Sequence, residues 1–378
     1  MSRDEVSPAD RRLMGLAIAL GRRNNGRTWP NPSVGAVLVD PATNRILAEA
    51  ATQPGGRPHA EAVAIGQAGD LARGATLYVS LEPCAHHGRT PPCADAIVAA
   101  GIGRVVVSMD DPDPRVAGRG HARIAAAGIA LTRGVMVDEA LRAHRGHFTR
   151  IREGRPAVTL KLARTSDGYA ARLPGEDRLM ISGEGAGHAV HLVRAHADAI
   201  LVGVDTILAD DPRLDVRLPG LADRSPLRVV FDTQLRLPLS SRLVATAGTL
   251  RTWVVCGEDA DQAAERVLVA EGLDVIRSPL DSGGRLDLRA AMALLGARGL
   301  TRVFSEGGPT LADAMARDGL IDDLYIGTAS VPLGQPGRPA IGPNLRSSLD
   351  RDFRFVESWR IEQDLVEHFE RRPCSPAL

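Results

Sequence analysis

Short apolar runs alternate with helical segments twice along this chain, and this double alternation restricts the possible folds more than any other feature. The first alternation begins with a helix over 8–20, whose N-cap is Ser7. Its strand candidates are Val34–Val39, Thr76–Ser80 and Arg104–Ser108, and its further helices lie near 60–68, 93–100, 119–127 and 138–148. Alternation of this kind predicts an α/β layered domain.

A polar segment, Thr149–Pro156, separates this half from a second alternation. The strand candidates there are Ala157–Ala163, Ala199–Val204, Arg228–Asp232, Trp253–Cys256, Asp274–Arg277 and Arg302–Ser305, and the helices lie near 184–196, 260–271, 287–298 and 309–318. The pattern in 353–360 and 364–370 indicates a terminal antiparallel pair. We therefore expect two α/β domains, residues 1–150 and 151–378.

The charge balance argues against a nucleic-acid partner. Lys plus Arg and Asp plus Glu each total 46, so the formal net charge is zero and no long-range field attracts a polyanion. Aromatic residues make up only 3% of the chain, which is few for a surface on which bases stack. A hydrophobic fraction of 44% indicates ordinary folded domains.

The cysteines and the N-terminus favour a cytoplasmic protein. The cysteines, Cys84, Cys93, Cys256 and Cys374, are too few and too unevenly spaced for a disulfide framework. The first residues are charged and lack an apolar run, and no stretch reaches the roughly 18 apolar residues of a membrane span. We expect no membrane partner.

Lys161 is the only lysine among the 46 basic residues. Arginine supplies charge equally well but not a compact ammonium with three rotatable donors. The exception indicates a role for Lys161 that a guanidinium cannot fill, although one lysine can also survive by chance.

Three residues form a candidate zinc site: His59 in Pro-His-Ala-Glu, Cys84 in Leu-Glu-Pro-Cys and Cys93 in Thr-Pro-Pro-Cys. Three ligands leave zinc one position for water, which is the catalytic arrangement. Glu61 follows His59 by two residues and can move protons beside the metal without binding it. The pattern is that of hydrolytic deamination by the zinc base deaminases. The alternative is a closed structural zinc site with His86 or His87 as fourth ligand.

Eight residues, Ala85–Pro92, separate the two cysteines, and this insert is distinctive. With Asn31-Pro32-Ser33-Val34-Gly35 upstream and Asp111-Pro112-Asp113-Pro114 and Ala117-Gly118-Arg119-Gly120 downstream, it resembles the deaminase half of the bifunctional riboflavin biosynthesis enzymes. The resemblance implies a cytidine-deaminase-like three-layer domain. It also implies that the substrate contacts are Asn31, His86, Arg89 and Asp113.

The second half has no Gly-x-Gly-x-x-Gly dinucleotide fingerprint, but it has another candidate phosphate turn, Ser305-Glu306-Gly307-Gly308-Pro309-Thr310-Leu311. Together with Lys161–Gly168 and Val204–Arg217, this turn resembles the reductase half of the same family. The resemblance implies a dihydrofolate-reductase-like domain that uses NADPH.

The resemblance also implies which residues of the second half bind ligands. The implied NADPH contacts are Ala163, Met180, Thr206, Asp210, Gly308, Pro309, Thr310, Leu311, Ala312, Asp313 and Ala314. The implied substrate contacts are Arg178, Arg194, Leu214, Arg217 and Glu306. We expect Lys161 to orient the ribosyl hydroxyls or to donate a proton during reduction.

The sequence therefore predicts a two-step enzyme of riboflavin biosynthesis that carries Zn²⁺ and NADPH. Its deaminase converts 2,5-diamino-6-ribosylamino-pyrimidinone 5-phosphate to the aminouracil, and its reductase then opens the ribosyl group to ribityl. We expect a homo-oligomer, a dimer or a tetramer. The alternatives are a nucleic-acid or nucleotide base deaminase with an accessory domain, and a zinc-stabilised binding protein with a dead active site.

Overall fold

The computed structural model describes residues 6–86, 91–173, 179, 181 and 183–372. Its backbone contacts divide the chain into two compact units between Gly154 and Arg155. Among the described residues, no helix is both long and apolar enough to cross a membrane.

The first unit is an alternation of helices and short strands. Its helices are α1 (Pro8–Arg22), α2 (Ala60–Ala68), α3 (Cys93–Ala99), α4 (Arg119–Ala126) and α5 (Val137–Glu153), and its strands are β1 (Gly35–Val39), β2 (Ile46–Ala51), β3 (Thr76–Val79), β4 (Arg104–Val107) and β5 (Ala130–Arg133). The predicted cap of α1 is confirmed, because the Ser7 side chain accepts a hydrogen bond from Asp10 N–H and Pro8 is the first helical residue.

The described strands of this unit form one sheet in the order β2-β1-β3-β4-β5. Strands β3, β4 and β5 are parallel, whereas β1 is antiparallel to both of its neighbours. Successive residues of β1 enter different cores: Ala36 and Leu38 pack on one side with α2, α3 and α4, and Val37 packs on the other with α1 and α5. The sheet is thus the middle of three layers.

The end of α5 differs from the prediction. The helix was predicted over 138–148, before the polar boundary segment, but α5 continues to Glu153 and stops where Gly154 adopts φ 71°, the left-handed conformation that ends many helices. Phe148 and Thr149 are buried, so tertiary packing stabilises the last turns of a helix whose sequence reads as polar.

The second unit has a longer series of elements. Its strands are β6 (Ala157–Arg164), β7 (Tyr169–Ala171), β8 (Ala199–Gly203), β9 (Leu227–Phe231), β10 (Thr252–Gly257), β11 (Asp274–Ser278), β12 (Arg302–Ser305), β13 (Asp323–Thr328), β14 (Arg338–Pro339), β15 (Phe353–Ile361) and β16 (Asp364–Arg371). Its helices are α6 (Glu184–Ala195), α7 (Val204–Asp210), α8 (Arg242–Ala245), α9 (Gln262–Ala270), α10 (Leu288–Ala297), α11 (Pro309–Arg317) and α12 (Pro343–Asp352).

Most described strands of this unit form a sheet in the order β11-β10-β9-β8-β12-β6-β13-β16-β15. All neighbours are parallel except at the end, where β16 is antiparallel to both β13 and β15. The predicted terminal antiparallel pair is therefore confirmed. Strands β8, β12 and β6 are adjacent and parallel, so their carboxyl ends lie side by side. The residues that follow β8 and β12 therefore meet the last residues of β6 at this carboxyl edge of the sheet.

Candidate active sites

The three predicted zinc ligands lie together in the first unit. His59 is the N-cap of α2, Cys93 is the first residue of α3, and Cys84 follows β3. His59 Nδ1 is 3.3 Å from Cys93 Sγ and 3.6 Å from Cys84 Sγ. One nitrogen and two sulfur atoms at such separations are the donor set that zinc prefers in proteins.

Electrostatics in this group favour a thiolate. A hydrogen bond from the Cys93 thiol is the largest effect that lowers the pKa of Cys84, to about 4, and the Cys93 backbone N–H also donates to Cys84 Sγ. The same thiol contact raises the pKa of Cys93, and the hydrogen bond with Cys84 raises that of His59. Cys84 is thus held in the form that binds a metal.

Glu61 lies on the first turn of α2, beside the three ligands, and is 3% exposed. Its Oε2 has no hydrogen-bond partner among the described residues, and burial raises the pKa of its carboxyl group. A buried polar atom without a partner costs stability and is typical of functional sites. The donor set and this orphaned oxygen fit a catalytic zinc ion.

The alternative of a closed zinc site gains no support in the described part of the chain. The ligand atoms of His59, Cys84 and Cys93 lie within 4.8 Å of one another, and His86 is outside this group. His87 lies outside the described residues. The three-ligand arrangement keeps the fourth zinc position for water or substrate.

A cavity of about 500 Å³ opens beside the ligand group. His59, Glu61 and Cys84 line it, as do three of the predicted substrate contacts, Asn31, His86 and Asp113. The fourth predicted contact, Arg89, lies outside the described residues. Sequence reasoning missed further lining residues, among them Arg57, Glu82, Asp111, Arg115, His147 and Arg150.

Asp113 forms an ion pair with another residue of the protein, Arg115. Both of its carboxylate oxygens accept hydrogen bonds from the Arg115 guanidinium, which lowers the pKa of Asp113 to about 2. Arg115 itself lines the cavity and its side chain is 69% exposed. A ligand at this corner therefore meets a fixed arginine–carboxylate pair.

In the second unit, several predicted contacts gather at the edge formed by β6, β8 and β12. Lys161 and Ala163 lie on β6, Thr206 is on α7 directly after β8, and Gly308 is the N-cap of α11 after β12. The Thr206 hydroxyl is 4.0 Å from where a Cβ on Gly308 would lie. Asp210 is the last residue of α7.

The turn between β12 and α11 provides backbone donors. Among the described residues, no side chain caps the N-terminus of α11, so the N–H groups of Thr310 and Leu311, which follow Pro309, are available to an anion. A Cβ on Gly307 would lie 2.6 Å from the end of the Leu311 side chain, so a larger residue there would displace that side chain. This arrangement fits a phosphate group of a dinucleotide cofactor.

Charged residues cluster beside this edge. Arg194 Nε and Nη2 donate to the two carboxylate oxygens of Glu306 at 2.6 and 2.8 Å. Burial lowers the pKa of Lys161, whose ammonium interacts electrostatically with Glu306, Arg194 and Asp364. The structure thus brings together the predicted residues Lys161, Arg194 and Glu306.

The side chains of other predicted ligand contacts already contact residues of the protein itself. Leu214 is 2% exposed, and its side chain belongs to the apolar core, so only its backbone is suited to a ligand. Arg217 donates to Asp215. The Asp313 carboxylate accepts from Asn344 Nδ2 and Leu345 N–H at the start of α12. Arg178 and Met180 lie outside the described residues.

Comparison with protein families agrees with this division. Residues 7–109 match the cytidine and deoxycytidylate deaminase zinc-binding region, and residues 156–367 match the RibD C-terminal domain. The predicted fold is confirmed, since the chain combines a cytidine-deaminase-like domain with a dihydrofolate-reductase-like reductase domain.

Whole-chain relatives carry both parts. The riboflavin biosynthesis protein RibD of Escherichia coli is 39% identical over 374 residues, covering 95% of this chain and 98% of that protein, and RibD of Aquifex aeolicus is 38% identical over 374 residues, covering 97% and 99%. The solved structure of Acinetobacter baumannii RibD, form 2, has a TM-score of 0.83 at 34% identity and covers 96% of this chain and 99% of that one.

A further solved structure is a diaminohydroxyphosphoribosylaminopyrimidine deaminase/5-amino-6-(5-phosphoribosylamino)uracil reductase from Thermotoga maritima. Its TM-score is 0.81 at 30% identity, and the match covers 96% of this chain and 98% of that one. Both parts of the chain, and nearly all of its length, therefore have counterparts in these proteins. The chain belongs to the RibD family of riboflavin biosynthesis proteins.

Proposed function

We propose that residues 1–150 deaminate 2,5-diamino-6-ribosylamino-pyrimidinone 5-phosphate and that residues 151–378 reduce the ribosyl group of the resulting aminouracil with NADPH. Family membership establishes the coarser statement, a bifunctional deaminase and reductase of riboflavin biosynthesis that uses zinc and NADPH. The substrate identities and the residue roles are our proposal.

In the deaminase, Glu61 is the proton carrier. His59, Cys84 and Cys93 would hold a zinc ion, which would supply the Lewis acidity that makes water a nucleophile at neutral pH. Glu61 takes a proton from the attacking water and passes it to the leaving amino group, so that water adds, the carbon–nitrogen bond breaks and ammonia leaves. Burial raises the pKa of Glu61, which brings this carboxyl group closer to the operating pH.

The substrate occupies the cavity beside Glu61. Asn31, His86 and the Asp113–Arg115 pair line it, and the first two offer polar groups to the pyrimidine. We propose that the pair, together with Arg89 outside the described residues, supplies charge for the phosphorylated ribose. Asn31 Nδ2 already donates to Gly56 O at 3.1 Å, which fixes the orientation of its amide. The site therefore holds the base by hydrogen bonds and the phosphate by arginine.

In the reductase, NADPH supplies the hydride, and the protein supplies geometry and charge. The start of α11, Gly308–Ala314, together with Ala163, Met180, Thr206 and Asp210, holds the cofactor. Arg178, Arg194, Leu214, Arg217 and Glu306 bind the ribosyl phosphate. Lys161 orients the ribosyl hydroxyls or donates the proton that opens the ring.

One observation supports the proposed deaminase most directly. The Glu61 oxygen without a partner among the described residues lies beside a group of one nitrogen and two sulfur ligands, at a cavity.

We expect zinc-loaded enzyme to release ammonia from the diaminopyrimidine ribosyl phosphate and not from single-stranded RNA. Chelation should abolish release, and added Zn²⁺ should restore it. Ammonia from RNA would instead favour a nucleic-acid base deaminase, and a zinc-loaded chain inert towards every substrate would favour a binding protein.

We also propose a homo-oligomer. Among the described strands, β15 is the last strand of its sheet, and Phe355 and Trp359 on it are 57% and 37% exposed. Exposed aromatic residues at a sheet edge are typical of protein interfaces. Light scattering should report a dimer or a tetramer, and Trp359→Glu should lower its mass; a monomeric wild-type chain would contradict the proposal.

Finally, we propose that the enzyme works in the cytoplasm. The zinc ligands include two thiols, and a reducing compartment keeps thiols available for a metal. Activity in the cytosolic fraction of gently lysed cells is expected, and its recovery outside that fraction would oppose this assignment.

A further inference from the structure

The carboxylate of Glu82 is an unusual acceptor in the deaminase unit. Glu82 lies between β3 and the ligand Cys84 and is 4% exposed. In the described residues, its Oε2 accepts from the N–H groups of Asp111 and Gly118 at 3.2 and 3.0 Å, and its Oε1 from those of Gly120 and His121 at 3.0 and 3.3 Å. A single buried side chain thus organises a whole loop.

We call residues 110–121, which include the first turn of α4, the 110–121 loop; it forms one wall of the cavity through Asp111, Asp113, Arg115 and Val116. Its close approach to the Cys84 turn depends on Gly120. A Cβ at this position would lie 2.0 Å from Pro83 O and 3.2 Å from Glu82 Oε1, so any larger residue pushes the loop away. Two independent features therefore fix the distance between loop and turn.

A chain of hydrogen bonds links Glu82 to the residues of the cavity wall. Asp111, whose N–H donates to Glu82, accepts from the Asp113 N–H at 2.8 Å through its Oδ1. The same oxygen lies 2.9 Å from His147 Nε2 on α5. Asp113 in turn holds Arg115. A shift of the Glu82 carboxylate is thus passed to the residues that face the ligand.

We propose that Glu82 is a positioning residue of the deaminase, which sets the place of the 110–121 loop relative to Cys84. The inference rests on the proposed deaminase function. In Glu82→Gln, the amide NH₂ replaces one accepting oxygen, so two of the backbone N–H groups face a donor and lose their acceptor. The loop then moves, while the ligands His59, Cys84 and Cys93 stay.

The test compares Glu82→Gln, Gly120→Ala and their double variant with wild type and with Glu49→Gln, a matched change at an exposed carboxylate on β2. For each, we would measure deaminase KM and kcat, bound zinc, and reductase activity on the deaminated intermediate. Both single variants should raise KM about tenfold or more, because buried donors lose their partners. Zinc content, kcat and reductase activity should stay near wild type, and the double variant should be no worse than the worse single one.

Each contrary result has a distinct meaning. An unchanged KM in Glu82→Gln, with active wild type, overturns this inference alone. Loss of zinc together with deaminase activity also overturns it, because Glu82 then supports the metal site or the fold and not the substrate loop. A wild-type enzyme that releases no ammonia overturns the proposed function, and this inference with it.

Discussion

Replacing Glu61 with glutamine should lower the deaminase kcat by about 10³-fold, since positioned proton transfer contributes roughly 10²- to 10⁴-fold. The amide keeps the size of the side chain but can neither take the proton of water nor pass it to the leaving amine. Its oxygen and nitrogen occupy the place of a carboxylate whose Oε2 has no other hydrogen-bond partner among the described residues. Ammonia release from the diaminopyrimidine substrate measures the effect.

Two controls separate this loss from loss of the metal or of the fold. Bound zinc should remain, because Glu61 is not among the atoms that form the ligand group. The reductase of the same chain should act normally on the deaminated intermediate. A Glu61→Gln enzyme with more than a tenth of the wild-type rate would exclude Glu61 as the proton carrier.

Replacing Lys161 with arginine should lower the reductase kcat by about 10²-fold, the usual loss when a positioned donor to developing charge is removed. The guanidinium keeps the charge but cannot reproduce the compact ammonium beside Glu306 and Arg194. NADPH oxidation with the deaminated intermediate measures the effect, and ammonia release by the same chain is the internal control. A fully active Lys161→Arg reductase would show that charge alone is needed.

The pH profile gives a second test of Lys161. Burial lowers its pKa from the ordinary value of 10.5, so the protonated form is lost at lower pH than for a free lysine. If protonated Lys161 acts in reduction, the rate should fall on the alkaline side through a pKa below 10.5. A wild-type profile that stays flat through this range would contradict a role for the protonated ammonium.

The strands predicted from sequence were mainly short apolar runs that contain β-branched residues. Thr76–Val79 has this composition and is buried, and so does Arg104–Val107, in which the three valines are buried. The predicted strand Ala199–Val204 ends one residue early, because Val204 begins α7.

Strand β2, Ile46–Ala51, was missed since its Ala-Glu-Ala-Ala sequence has low strand propensity and depends on pairing with β1. Strand β13 was missed because Asp322, Asp323 and Gly327 resemble turn residues, although β6 and β16 flank it.

The ligand group was predictable because zinc imposes residue types and spacing that a short segment reveals. His59 and Glu61 are neighbours at the start of α2, and the cysteines follow recognisable prolines. The cavity wall was not predictable from the sequence, because it depends on contacts between distant segments. Arg115 becomes significant only through its pairing with Asp113, and Glu82, although part of the Leu-Glu-Pro-Cys motif, only through its bonds to the 110–121 loop.

The order of the two reactions in one solution tests the central claim most directly. Wild-type enzyme would receive the diaminopyrimidine ribosyl phosphate and NADPH, and ammonia release and NADPH oxidation would be followed together. Ammonia should appear first, with NADPH oxidation rising after a lag to no more than one equivalent per ammonia. NADPH oxidation without a lag, or without ammonia, would contradict the account.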